Sequence, residues 1–125
     1  MINFKNKKIL VTGASGGIGR EIVKKFYSLE GKIVATGTNT EKLDLLKKDF
    51  PNINIIQFDI SNHSKIEEFI DNATAQLTGL DILINNAGIN MDNLSLRMKE
   101  EEWKKVIDIN LTSTFLLSKY TIKKM

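Results

Sequence analysis

The feature that most constrains this sequence is its alternation of short, β-branched apolar runs with stretches of helical periodicity. Residues 7–12 read as a strand. After the glycine-rich residues 13–19, Ile22, Val23, Phe26 and Leu29 recur at helical spacing to about Glu30, where Gly31 supplies a stop. Residues 32–37 form a second strand. A helix over 41–50 sets Leu43, Leu46 and Phe50 on one side and ends at Pro51. A third strand covers 53–58, and Ile66, Phe69, Ile70, Ala73 and Leu77 mark a third helix that closes near Gly79. Residues 81–85 give a fourth strand and 86–99 a polar loop. The last helix starts near Glu100 and carries Trp103, Val106, Ile107, Leu111 and Phe115 or Leu116. Strands that alternate with helices at these lengths pair in parallel through right-handed crossovers. The nearly continuous apolar runs at 53–58 and 82–84 suit strands covered by helices on both faces.

Composition narrows the chemistry. A length of 125 residues allows one domain. The absence of cysteine excludes a disulfide scaffold, a zinc ribbon and a thiol nucleophile. A single histidine, His63, argues against a His-based metal site or a Ser/His triad. The net charge is +3, but 16 of the 18 basic residues are lysine, scattered among 15 acids, with no basic block longer than two. A nucleic-acid stripe would be clustered and richer in arginine, so no nucleic-acid partner is expected. No apolar run approaches the roughly 20 residues of a membrane-spanning helix. Residues 1–5 lack the apolar core of a signal peptide, which makes the cytoplasm the expected location.

The turn after the first strand has the spacing Gly13-x-x-x-Gly17-x-Gly19. Glycines there let backbone N–H groups approach a phosphate, and the start of the following helix adds partial positive charge. The spacing is wider than G-x-G-x-x-G, and no Gly-Lys-Ser/Thr follows, so it is not a P-loop. By itself such a run also suits a plain tight turn.

The run Thr12-Gly13-Ala14-Ser15-Gly16-Gly17-Ile18-Gly19, between a strand and a helix, resembles the cofactor fingerprint of the short-chain dehydrogenase/reductase family. Asp59-Ile60 after the third strand, Asn85-Asn86-Ala87-Gly88 after the fourth and Asn110 in the last helix match further motifs, in family order and spacing. The resemblance covers the whole chain. It implies an α/β, Rossmann-type doubly wound parallel sheet, ordered 3-2-1-4 and stopping after four strands. Residues 1–125 would then be a dinucleotide-binding domain, incomplete at its C-terminus. It implies that Gly13 to Gly19, Thr38, Asp59, Ile60, Asn86, Ala87 and Gly88 bind the cofactor. Asp59 would accept from the adenine amino group, although Asp59, Ser61 or Asn62 also suits a helix cap. Asn-Asn-Ala-Gly likewise suits a strand-ending turn.

An acid about 20 residues beyond the glycines usually pairs with the ribose of NAD. Residues 35–40 hold none; the first is Glu41. That favours NADP(H), although Thr38 and Gly16 stand where NADP enzymes of the family often carry a base. Arg20 and Lys42 are the basic candidates for the 2′-phosphate.

Family members reduce a carbonyl with a Tyr acid, a Lys that lowers its pKa, a Ser and an Asn. Asn110 matches the Asn. Tyr120 and Lys124 reproduce the Tyr-x-x-x-Lys spacing but lie on the same predicted helix as Asn110, about 15 Å along it. They are rejected as a catalytic pair, as are Ser113 and Ser118. The 125-residue chain is therefore expected to be an inactive part of a reductase.

Residues 90–110 resemble the corresponding stretch of bacterial 3-oxoacyl-[acyl-carrier-protein] reductases. The resemblance implies a 3-oxoacyl thioester as substrate, the acidic acyl carrier protein as partner and a homotetramer in the full-length form. Another dehydrogenase for a small alcohol or ketone, or an inert nucleotide-binding module, remains as an alternative.

Overall fold

The computed structural model describes residues 3–87 and 99–125. In chain order it contains β1 (Lys8–Val11), α1 (Gly17–Ser28), β2 (Lys32–Gly37), α2 (Thr40–Asp49), β3 (Asn54–Gln57), a 3-10 turn (His63–Lys65), α3 (Ile66–Leu77), β4 (Ile82–Ile84), α4 (Glu100–Ile107), a π-helical segment (Asp108–Ser113) and α5 (Thr114–Lys124). The four strands form one parallel sheet in the order β3-β2-β1-β4. Leu10 stands opposite Val34 on one side and Leu83 on the other. This is the Rossmann-like α/β arrangement expected.

Side chains on successive strand residues point to opposite faces, and the core divides accordingly. Leu10 and Val34 pack with Phe69, Ile70, Ala73 and Leu77 of α3 and with Ile109 and Leu117. Ile9, Val11, Ile33 and Ala35 pack on the other face with Val23 of α1 and Leu46 of α2. Helices thus cover both faces of β1 and β2, whose apolar residues are buried. The apolar runs of β3 and β4 suggested equal cover. As the edge strands of the expected order they are half-buried, and their apolar side chains pack on both faces, Ile56 and Leu83 with the first cluster and Ile55, Ile82 and Ile84 with the second.

Two helix ends differ from the sequence reading. The residue that turns left-handed after α1 is Glu30, at φ 63°, rather than Gly31. Glu30 N–H donates to Tyr27 O and Gly31 N–H to Phe26 O, a Schellman closure. After α3, Thr78 takes the left-handed position at φ 59°. None of Asp59, Ser61 and Asn62 caps α3, which begins after the 3-10 turn with no side-chain cap.

The last helix is not continuous α. The π-helical segment shifts the register of α5, and the buried positions become Ile109, Ser113, Leu117 and Thr121. Of the positions expected inside, Leu111 is 63% and Trp103 57% exposed; of the alternatives Phe115 and Leu116, Phe115 is 63% exposed and Leu116 packs half-buried against the α3 cluster. Side-chain periodicity alone does not announce a π turn, which is why the expected face was right only in part.

Candidate functional site

The loop after β1 is set by close backbone approach. Gly13 has φ +62°, and a Cβ there would lie 2.8 Å from the Ala87 Cα. At Gly19 a Cβ would fall 2.1 Å from the Gly13 carbonyl oxygen. Both positions therefore exclude a side chain. Gly17 differs, since a Cβ there would meet nothing within 4 Å. The loop packs against its own helix start at Gly19 and leaves open space at Gly17. No side chain caps α1, and its first turn holds no acid. This helix start offers N–H groups and the positive dipole end to an anion.

Thr12 fixes the loop to the segment after β4. Its buried hydroxyl donates to Ile84 O (3.3 Å) and accepts the N–H groups of Asn86 (3.1 Å) and Ala87 (3.0 Å). The Asn86 amide donates to Gly13 O at 3.1 Å. Ala14 is buried beneath the loop, and its N–H bonds to Thr36 O at 2.9 Å.

A cleft of about 430 Å³ opens at the carboxyl ends of all four strands, where α/β sheets place their ligands. Gly13, Ser15, Gly16, Gly17, Ile18 and Gly19 line it, as do Thr38, Asp59, Ile60, Asn86 and Ala87. Of the other residues expected at the site, Ala14 supports the loop from below, and Gly88 lies outside the described residues, as do residues 90–98. Asn110 is exposed on the π-helical segment and does not line the cleft, whereas its neighbour Ile109 does. Gly37 also lines the cleft, and Thr36, Phe58 and Ile109, which were not singled out from sequence, complete the wall. Phe58 is held by stacking on Phe69, ring centroids 4.4 Å apart.

Asp59 is the one carboxylate among the described lining residues. Its Oδ1 accepts the Ser61 hydroxyl (2.7 Å) and the Ser61 N–H (2.9 Å). The Ser61 hydroxyl, then its N–H, holds the carboxyl below the usual carboxylate range against the effect of burial, with Lys105 assisting. Thr38 and Asn39 follow β2, and the Asn39 side chain caps α2 by accepting Lys42 N–H at 3.0 Å.

Arg20, a candidate for the 2′-phosphate, is engaged elsewhere. It donates to Asp49 at 2.7 Å and lies over the Phe50 ring. Tyr120 packs with the α3 cluster, and Lys124 pairs with Asp71 at 2.8 Å. Neither lines the cleft.

A parallel 3-2-1-4 sheet with a glycine-rich strand-to-helix turn at its carboxyl edge defines a Rossmann-like α/β protein. Residues 7–125 match the sequence profile described as short chain dehydrogenase, and the chain belongs to that family. It is 43% identical to the 3-oxoacyl-[acyl-carrier-protein] reductase FabG of Rickettsia typhi over 125 residues, covering 100% of this chain and 51% of that protein. It is 38% identical to the Escherichia coli K12 protein of the same name, over 99% of this chain and 51% of the other. The chain thus spans about half the length of the curated relatives it matches. Among solved structures, a Brucella melitensis protein titled short-chain dehydrogenase/reductase SDR:Glucose/ribitol dehydrogenase superposes with a TM-score of 0.92 at 31% identity, covering 98% of this chain and 54% of that one.

Proposed function

We propose that the cleft binds NADP(H) and that this chain is the cofactor-binding part of a reductase of fatty acid synthesis. The reaction is conversion of 3-oxoacyl-[acyl-carrier-protein] to 3-hydroxyacyl-[acyl-carrier-protein]. One observation carries the dinucleotide reading: the carboxyl ends of four strands meet at an uncapped, acid-free helix start with open space at Gly17. The relatives named as 3-oxoacyl-[acyl-carrier-protein] reductases support the substrate.

The nicotinamide supplies hydride chemistry when bound. The residues of this chain hold and orient it. The amides of residues 13–19 receive the pyrophosphate. Asp59, kept ionised by Ser61, accepts from the adenine amino group. Ile60 borders the adenine; Asn86, Ala87 and Gly88 border the ribose and nicotinamide. Asn110 is the catalytic Asn of this part, helping to hold a water chain to the family's Lys. NADP(H) is favoured because residues 35–40, at the end of β2, hold no acid to repel a 2′-phosphate at Thr38. With Arg20 bound to Asp49, Lys42 is the remaining basic candidate.

The 125-residue polypeptide is proposed to lack turnover, because its own Tyr120 and Lys124 serve packing and pairing against α3. The acidic carrier protein is the proposed partner of this chain of net charge +3. The exposed Leu111 and Phe115 form the proposed contact of a homotetramer. A cytoplasmic location fits this chemistry. Among the described residues no helix is long and apolar enough to cross a membrane, and neither a membrane nor a nucleic-acid partner is proposed.

Calorimetric titration with NADPH and with NADH tests the cofactor assignment; tighter NADPH binding is expected, and tighter NADH binding overturns it. NADPH consumption by the purified chain on a 3-oxoacyl thioester would overturn the assignment of inactivity.

A further inference from the structure

The single histidine has a partner set that the proposed cofactor contacts do not use. His63 stands on the 3-10 turn between β3 and α3. Its Nε2 lies 3.0 Å from the Ser113 hydroxyl and 3.3 Å from the Asp108 carbonyl oxygen. Ser113 is fully buried, and its hydroxyl also lies 2.7 Å from Ile60 O and 2.7 Å from Asp108 O.

Counting protons decides how this hub is wired. The serine hydroxyl has one proton to donate. The two carbonyls only accept, and both lie within its reach. A bare Nε2 would compete for that one proton and turn its lone pair toward the Asp108 carbonyl. With hydrogen on Nε2, the ring donates to Ser113 Oγ, and the serine proton remains for the carbonyls. The serine hydroxyl then accepts from the ring and donates its one proton to a carbonyl.

The two segments that meet here both border the cleft. Ile60 follows Asp59 on one wall, and Ile109 precedes Asn110 on the π-helical segment. Sequence separation between His63 and Ser113 is 50 residues, so the hub joins walls that no local structure connects. A π turn is a rare arrangement frequently found at functional sites, and here a buried hydroxyl rests on the carbonyl of its first residue.

We propose that His63 and Ser113 are a positioning pair. Hydrogen on His63 Nε2 lets Ser113 clamp the Asp59–Ile60 wall against the segment that carries Ile109 and Asn110. The pair touches no substrate or cofactor and acts through the walls it joins. Its effect on affinity rests on reading the cleft as a dinucleotide site.

The test uses the chain labelled with 15N in histidine and in the backbone. The His63 Nε2 resonance is expected at the position of a protonated ring nitrogen; a bare Nε2 overturns the wiring. His63→Leu removes the donor, while His63→Gln restores an N–H on a side chain of similar reach. In His63→Leu the amide resonances of Asp59, Ile60, Ile109 and Asn110 are expected to shift together, and His63→Gln returns them toward wild type. NADPH titrated calorimetrically should bind His63→Leu about three- to tenfold more weakly, the effect of one net hydrogen bond, with recovery in His63→Gln. Unchanged amides in His63→Leu, or no recovery with glutamine, overturns the proposal. If wild type binds no NADPH, the dinucleotide reading fails, and the amide shifts alone decide the positioning.

Discussion

Thr121 carries a hydroxyl that the fold buries without a partner: its Oγ1 is the one described buried side-chain oxygen or nitrogen with no hydrogen bond. Thr121→Val keeps the shape and removes the unpaired group. It is expected to raise stability by about 1 kcal/mol, read as a higher urea midpoint at unchanged m; a lower midpoint refutes it. The glycines of the loop separate in the same way. Gly19→Ala drives a methyl into the Gly13 carbonyl and is expected to cost about 3 kcal/mol by overpacking. Gly17→Ala enters open space, so its stability stays within about 0.5 kcal/mol of wild type. On the proposed function, its methyl obstructs the phosphate and NADPH binding weakens. Equal loss of stability in the two variants would mean that the loop is not built on the Gly13–Gly19 approach. Asp59 gives a pH dependence of definite sign. Its carboxyl titrates below the ordinary value of 3.8. Its contribution to stability is therefore present above 3.8 and lost as pH falls through the lower folded value. In Ser61→Ala the Asp59 carboxyl, followed by NMR, should titrate closer to 3.8, and an unmoved titration contradicts the role given to Ser61.

At the scale of elements, α3 ends on a threonine in a conformation that β-branched residues avoid, at φ 59°. Thr78 carbonyl still accepts from Lys8 Nζ at 2.7 Å, and that bond survives loss of the side chain. Thr78→Gly is expected to gain about 0.5–1 kcal/mol, relief of the left-handed strain exceeding the entropy cost of glycine. A lower thermal midpoint would contradict this. The strands β1 and β2 were legible to within a residue or two because they are apolar runs between turn residues. The last helix was legible as a helix but not in its face. An α spacing pointed to Leu111 and to Phe115 or Leu116, of which Leu116 is half-buried, while the fully buried positions are Ile109, Ser113, Leu117 and Thr121. Two of those four are polar, and hydropathy does not select them. The site divides along the same line. Gly13, Gly19, Asp59 and Asn86 could be read because each stands in a contiguous motif that resembles the family's, although by itself each also suits a turn or a cap. Thr36, Phe58 and Ile109 reach the cleft only through the packing of elements distant in sequence, so nothing in their neighbourhoods marked them.

At the scale of the whole molecule, the cleft is a seam rather than a cavity in one element. Its walls come from the ends of β1, β2, β3 and β4 and from the π-helical segment. Thr12 ties the first wall to the fourth, and Ser113 ties the third to the last helix. A ligand that spans this seam contacts every layer of the fold at once, and unfolding any one of them destroys its site. Ligand binding should therefore stabilise the chain as a unit. By mass action, NADPH at 100 times its dissociation constant adds about 2.7 kcal/mol. For a domain of about 100 residues, 1 kcal/mol moves the thermal midpoint by roughly 4–8 °C. A saturating addition is thus expected to raise the midpoint by on the order of 10 °C or more, with a single transition followed by both circular dichroism and Trp103 fluorescence. Trp103 lies on α4, outside the glycine loop, so a common midpoint for the two signals reports coupling across the seam. An NADPH-dependent rise in one signal without the other would mean that the last helix does not share the stability of the sheet.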